Sequence, residues 1–419
     1  MAAVLDVYLH EAKVGRLTRD DAGQLAFRYD ATYLAKGRRP ISVSMLLRED
    51  AYLDPVARPY FSGLLPDERA RARLASALGV SEGNAFGLLE IIGGECAGAL
   101  SLLPEGQAPP PYEKTEIEAL SPVRLLAVLE TLRMRPLLAG EEGIRMSLAG
   151  AQDKLAVCVE DGRIGIAKGG RPTTHILKPF IEGLEGTVEN ELFCLRLAAR
   201  LKIDVPAVSM RHVGEIPFIL VERYDREVSP EGRIRRLHQE DFCQALSVPP
   251  ELKYEAEGGL GTTRCLDLIQ SATARPARDR LAFIRRMIFH YLVGNADAHA
   301  KNHSLLHGDT GTDLAPAYDI LCTAVYPRLE KRMAMAIGGR AVPDTILLKH
   351  WLTLVPDTKV AARQLTRTLN DMAATIRREA DALIAELAQE GIAHPILGDI
   401  RRVIETRAPH ILRVTESFG

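Results

Sequence analysis

Residues 294–319, GNADAHAKNHSLLHGDTGTDLAPAYD, place an acid at Asp297, an amide at Asn302 and a second acid at Asp319. These types suit phosphoryl transfer. One carboxylate can take the proton of an incoming hydroxyl, while an amide and a carboxylate hold Mg2+ against nucleotide phosphates. Four residues separate Asp297 from Asn302, an interval at which one loop offers a base and a metal donor together. Between Asn302 and Asp319 an apolar stretch at 304–306 and a Gly-Asp-Thr-Gly run predict a short hairpin. Taken singly, each of the three residues reads as a cap or a turn; their order carries the chemistry. His299 and Lys301 share the loop, and His299 either packs and orients it or touches phosphate or Asp297.

A second set of candidates lies upstream. Lys178 stands in an apolar strand, HILKPF, as either an edge-strand gatekeeper or a lysine for the α- and β-phosphates. The helix that follows opens with Glu189 and Glu191. Glu191 is the favoured partner of Lys178; the other reading is that both acids stabilise the helix N-terminus. Residues 147–154, SLAGAQDK, match neither GxxxxGK[ST] nor GxGxxG. Their small side chains would let the backbone approach phosphate, and a plain loop before a strand reads equally well. Glu222, Arg223 and Tyr224 close a strand where the chain turns helical, as a hinge whose backbone meets adenine or as a salt-bridged strand end. The run EGGLGTT at 257–263 predicts a turn. His238 belongs to no metal-ligand cluster, and no Ser-His-Asp arrangement is legible.

Elements that could position these residues follow from pattern and length. A chain of 419 residues is too long for one ordinary core, so two or more lobes are expected. With 47% hydrophobic residues, 26% charged and a formal net charge of −2, it reads as a globular enzyme with no global pull toward nucleic acid or anionic lipid. Six scattered cysteines without a CxxC pair predict buried free thiols. No apolar run reaches a membrane span, and the N-terminus meets acids too soon for a secretory signal, so a cytoplasmic location is expected. Strands at 4–9, 14–17 and 25–29 predict an antiparallel meander, with helices at 66–78 and 81–89 and a proline-rich linker at 104–113. A helix at 122–133, three strands between 155 and 180, a helix at 187–201 and a strand pair at 206–213 and 216–224 come next. Beyond 225 helices are predicted at 239–246, 263–272, 277–293, 345–354, 359–387 and 396–407. Nine acids balance nine bases in residues 357–419, making the tail a neutral helical region. The expected fold is α+β and bilobal: an N-terminal subdomain at 1–110, a β-rich lobe at 111–225 and an all-α lobe at 226–419.

Several runs in one order resemble the HipA toxin family: SLAGAQDKLAV, HILKP, NELFCLRLA, LVERYDR, RLHQEDFCQAL, KYE with a following Gly pair, GNADAHAKNHSL and LAPAYDIL. The likeness runs from about residue 1 to 330. Its members are serine/threonine protein kinases of type II toxin–antitoxin modules, with a protein-kinase-like fold. The resemblance implies that Asp297 accepts the proton and that Asn302 and Asp319 hold Mg2+. It puts the ATP phosphates on Ala149, Gly150, Ala151, Gln152, Asp153, Lys154 and Lys178, and the adenine at Glu222, Arg223 and Tyr224. Further nucleotide contacts are implied for His299, Ala300, Lys301, Asn302, Tyr318, Asp319, Ile320 and Leu321. Ser147 maps to an autophosphorylation site, where a phosphate would add negative charge beside a loop meant to receive phosphate. Ejection of the loop and loss of ATP binding are then expected. Tyr224 stands where phenylalanine is also common in the family, and Asp153 where glutamate is frequent.

The same resemblance implies a translation component, such as an aminoacyl-tRNA synthetase, as substrate. It also implies a helix-turn-helix antitoxin like HipB as partner, with operator DNA bound mainly through that antitoxin and this chain as corepressor. Two other readings compete: a small-molecule kinase using the same metal site, and a non-catalytic corepressor subunit.

Overall fold

The computed structural model describes residues 3–37, 39–111, 115–132, 136–138 and 145–416. The predicted meander is present: β1 (Ala3–Leu9) pairs antiparallel with β2 (Ala12–Arg19), and β2 with β3 (Leu25–Tyr29). A fourth strand, β4 (Leu100–Pro104), joins the free side of β1, giving the order β3-β2-β1-β4. Its residues are buried without alternation, so no period of two announced it in the sequence. The helices Asp54–Gly63, Glu68–Leu78 and Ala85–Ile92 follow β3 in the chain. The last starts four residues later than expected because Asn84 caps it, its side chain accepting from Gly87 N.

The second sheet has the order β5-β7-β6-β8-β10-β9. It contains β5 (Glu116–Ala119), β6 (Leu155–Glu160), β7 (Arg163–Lys168), β8 (His175–Pro179), β9 (Val208–Val213) and β10 (Ile216–Glu222). The short, polar β5 is a strand only through pairing with β7. Of the expected linker, Tyr112 and Glu113 lie outside the described residues, as does Arg133 of the helix expected at 122–133, which is observed over Pro122–Leu132. After a ribbon of β11 (Arg226–Val228) and β12 (Ile234–Arg236) comes a small sheet of β13 (His238–Asp241), β14 (Ser304–Gly308) and β15 (Gly311–Leu314). The last two are the predicted hairpin. The helix expected at 239–246 is a correction: long-range pairing with β14 makes a strand of its first half, and only Phe242–Ala245 is helical. Asp241 and Gln244 form a capping box at that switch.

Contacts divide the chain into two interleaved units, whereas the expected boundaries at 110 and 225 cut it serially. One comprises residues 1–179, 211–251 and 304–312; the other comprises 180–210, 252–303 and 313–419. In the first, one apolar core runs from Leu5, Leu17 and Phe27 through Phe61 and Leu89 to Leu155, Leu177 and Leu220. The meander and the six-stranded sheet therefore share a core. The second unit is helical, built on Thr187–Arg200, Thr262–Ala272, Pro276–Val293, Lys359–Gln389 and Pro395–Glu416. The two long C-terminal helices pack on Pro276–Val293 and on Thr187–Arg200, whose Leu192, Leu195 and Ala198 are buried. All six cysteines are buried and free. Among the described residues no helix is long and apolar enough to cross a membrane.

Candidate active site

In the helical unit, Pro276–Val293 starts with proline at its first position and stops at Gly294, in the left-handed region at φ 81°. A Cβ on Gly294 would lie 2.9 Å from Ala324 Cβ, so glycine also permits the chain after Asp319 to approach. Gly294 O accepts from Ala324 N at 3.0 Å, and Ala296 N donates to Thr323 Oγ1 at 2.8 Å. Asp297 N donates to Asn295 Oδ1 at 2.9 Å. The Asp297 carbonyl accepts from His299 N at 2.8 Å and from Asn302 Nδ2 at 3.0 Å. The backbone is thus tied, while Asp297 itself is exposed. Its Oδ1 accepts from Tyr254 Oη at 2.7 Å. His299 and Lys301 are buried in the same loop. Behind it, burial and then Arg286 push His290 down to about 3, and burial with His290 and Arg286 holds His303 well below the ordinary range. Burial thus disfavours a positive charge on either ring beside this loop.

Asp319 has φ 57°, uncommon for any residue but glycine and best tolerated by Asp and Asn. Its neighbours are anchored on each side. Tyr318 Oη donates to Lys301 O at 2.9 Å, joining this segment to the Asp297 loop. Cys322 N donates to Asn190 Oδ1 at 2.7 Å, and Asn190 Nδ2 donates back to Cys322 O at 3.1 Å. Asn190 is fully buried beside the buried Glu191. The donor set fits Mg2+. Asn302 commits its Nδ2 to the Asp297 carbonyl, an orientation in which its oxygen could serve as a metal donor, and Asp319 could add a carboxylate. Among the described residues no group of three or more His, Cys, Asp or Glu could hold an ion alone. An oxygen pair completed by phosphates and water is how Mg2+ is usually held.

In the β-rich unit, the loop at 147–154 is gripped by the N-terminal segment. Ser147 is fully buried; its Oγ donates to Leu64 O at 2.6 Å and its N to Glu95 O at 2.8 Å. Gly150, at φ 107°, bridges to Pro66, and its carbonyl accepts from Asp67 N at 3.2 Å. Arg73 holds Asp153 with two nitrogens at 2.5 and 3.2 Å. Lys154 Nζ folds back to Ala149 O at 2.9 Å, and Ala151 is exposed. Gln152 Nε2 donates to Pro179 O at 3.1 Å, tying the loop to β8 next to the buried Lys178.

Glu222 ends β10 opposite His175 of β8. The Arg223 side chain turns into a buried network, donating to Asp225 from Nε at 3.0 Å and Nη2 at 2.8 Å. Arg226 reaches Glu95 at 2.7 Å, and Gly98 N donates to Asp225 at 2.8 Å. Burial alone would raise both carboxyls, but Arg223 and Arg226 hold Asp225 and Glu95 below the usual carboxylate range. Burial, then Arg226, pushes Arg236 down to about 10. The strand end is therefore salt-bridged through Arg223, whose side chain is committed to this network, while Glu222 is exposed. Tyr224 is half-buried and donates to Gln239.

Beside Asp297 the helical unit opens a cleft of about 900 Å³ whose walls include Tyr254, Glu255, Glu257, Glu330 and Met333. Sequence reading singled out neither Asn190 nor Thr323, nor Arg73 and Glu95. Asn190 left one trace: an amide on the otherwise apolar side of an amphipathic helix.

The chain matches the HipA N-terminal domain over residues 5–103 and the HipA-like C-terminal domain over 146–380. It is 43% identical over 386 residues to Y4mE of Sinorhizobium fredii, which carries a kinase designation, covering 90% of this chain and 91% of that one. It is 30% identical over 354 residues to the serine/threonine-protein kinase toxin HipA of Shewanella oneidensis, covering 82% and 80%. A structure of Shewanella oneidensis HipA with HipB and its operator DNA superposes with a TM-score of 0.81 at 27% identity, covering 99% and 97%. Fold and relatives together define a serine/threonine protein kinase, a class of enzyme that uses ATP and a metal ion. The chain belongs to the HipA family of kinase toxins.

Proposed function

We propose that this chain is the toxin of a type II toxin–antitoxin module that phosphorylates a serine or threonine of a translation component, such as an aminoacyl-tRNA synthetase. The observation that carries the reading is the exposed Asp297 at a wide cleft, on a loop tied to the Asp319 segment. Asp297 takes the hydroxyl proton as the acceptor oxygen bonds to the γ-phosphorus and the bond from phosphorus to the β,γ-bridging oxygen breaks. ADP leaves, and the proton passes to water. When bound at Asn302 and Asp319, Mg2+ neutralises charge on the phosphates. Ala149 to Lys154 and Lys178 hold the phosphates. The backbone of Glu222, Arg223 and Tyr224 takes the adenine, and His299, Ala300, Lys301, Tyr318, Ile320 and Leu321 complete the nucleotide contacts.

Phosphorylation of Ser147 silences the enzyme, since that serine is reachable only after the loop leaves its buried place. The partner is a helix-turn-helix antitoxin. The Shewanella complex supports this reading, and a net charge of −2 supports leaving most DNA contact to the antitoxin. The site of action is the cytoplasm. The test is transfer from γ-labelled Mg–ATP in a cell extract, with Asp297→Asn as control. Wild type should label protein and the variant none. Labelled metabolites without labelled protein would make it a small-molecule kinase, and no label at all would end the proposal.

A further inference from the structure

The glycine run at 258–261 matches no phosphate loop, yet two of its members are needed for a local reason. A Cβ on Gly259 would lie 2.0 Å from the Leu252 carbonyl oxygen and 2.8 Å from that of Tyr254. A Cβ on Gly261 would lie 2.6 Å from the Glu255 carboxylate. The turn therefore closes down on Tyr254, whose carbonyl accepts from Glu257 N at 3.1 Å and Gly259 N at 3.0 Å. Glu255 is tied to the segment 334–336: its N donates to Ala334 O at 3.3 Å and its carboxylate accepts from Ala336 N at 2.6 Å. Ala334 N in turn donates to Ala296 O at 2.8 Å. One segment thus fixes both the residue after Tyr254 and the residue before Asp297. That frame sets Tyr254 Oη 2.7 Å from Asp297 Oδ1. The phenol ring is restrained as well, with His299 edge-on at 5.2 Å and Lys253 Nζ 5.3 Å from its centre.

We propose that Tyr254 is a positioning residue for phosphoryl transfer. Its O–H holds the Asp297 carboxylate in one rotation about Cβ–Cγ, at the wall of the cleft that both residues line. The inference rests on the kinase reading of Asp297. The torsion that turns an aspartate carboxylate is broad, so an exposed base does not align itself. Misalignment of a base costs rate and leaves nucleotide binding alone, because alignment counts in the transition state.

The experiment follows self-labelling of the purified full-length chain with γ-labelled Mg–ATP for wild type, Tyr254→Phe, Tyr254→Leu and Asp297→Asn, with thermal unfolding of each. Tyr254→Phe keeps the ring and loses only the hydroxyl. Its rate constant at saturating Mg–ATP should fall about tenfold, the scale of one hydrogen bond to a charged group. The ATP concentration for half-maximal rate and the unfolding midpoint should stay at wild-type values, and Tyr254→Leu should fall no less in rate. Labelling by Tyr254→Phe at the wild-type rate, beside an inert Asp297→Asn, overturns this inference alone. So does a lowered unfolding midpoint with an unchanged rate. Active Asp297→Asn, or an inactive wild type, overturns the kinase assignment of the site and this inference with it.

Discussion

Arg73→Ala is the perturbation that most directly probes the loop carrying Ser147. Arg73 and Asp153 are 37% and 19% exposed, so their pair belongs on the surface scale despite its two short contacts. Removing it should weaken the seated loop by about 1 kcal/mol, the upper end for exposed ion pairs. Since 1.4 kcal/mol is a factor of ten, the released fraction rises about fivefold. The other anchors, from Leu64, Glu95, Asp67 and Pro179, stay in place, so the seated form still dominates. If Ser147 is labelled only from a released loop in fast exchange, the labelling rate follows that fraction. The assay is a time course of phosphate on Ser147 at saturating Mg–ATP, with Ser147→Ala as the blank. About fivefold faster labelling with little change in half-saturating ATP is expected. Hydrogen exchange at residues 147–153 should quicken in parallel. Faster exchange with unchanged labelling would refute the idea that loop release gates the reaction, and unchanged exchange would refute the role of Arg73 in seating it.

Other outcomes follow from buried charge. Asp225→Asn leaves Arg223 and Arg226 facing Glu95 alone in a buried site, and should cost about 3–5 kcal/mol in urea unfolding; a loss below about 1 kcal/mol would show the network to be dispensable. Burial is the main cause that holds His238 and His290 at about 3. Each would bind a proton near pH 6.5 when unfolded, so each supplies stability present above that pH and lost as the pH falls toward the folded value. At pH 5 the loss is about 2 kcal/mol per histidine, and a urea midpoint that is flat from pH 7 to 5 would contradict it.

How much was legible in the chain follows from what each residue depends on. Asp297, Asn302 and Asp319 stand out in the sequence because the roles proposed for them need particular side chains at short spacing around one hairpin. Tyr254 does not stand out, because 43 residues separate it from Asp297 and a long-range frame through Ala334 brings the two together. The loop at 147–154 was ambiguous for the same reason: its partners Leu64, Asp67, Arg73 and Glu95 come from another part of the chain. β4, β5 and β13 escaped notice because tertiary pairing outweighs a weak or absent local period. The two contact-defined units interleave along the chain because contacts across long sequence gaps decide which segments share a core.

Those partners also bear on the sign of regulation at Ser147. The seated serine meets two carbonyl oxygens: Leu64 O accepts from its hydroxyl and Glu95 O from its amide. A phosphate needs the opposite, since it brings charge and acceptor oxygens that must find donors. Two cations of this region are already engaged, Arg73 with Asp153 and Lys154 with the Ala149 carbonyl. A phosphorylated Ser147 returned to this fully buried place would face acceptors with a desolvated dianion. If Ser147 is phosphorylated as proposed, the seated loop and the phosphate exclude each other, and that one modification would remove the backbone proposed to bind the nucleotide phosphates.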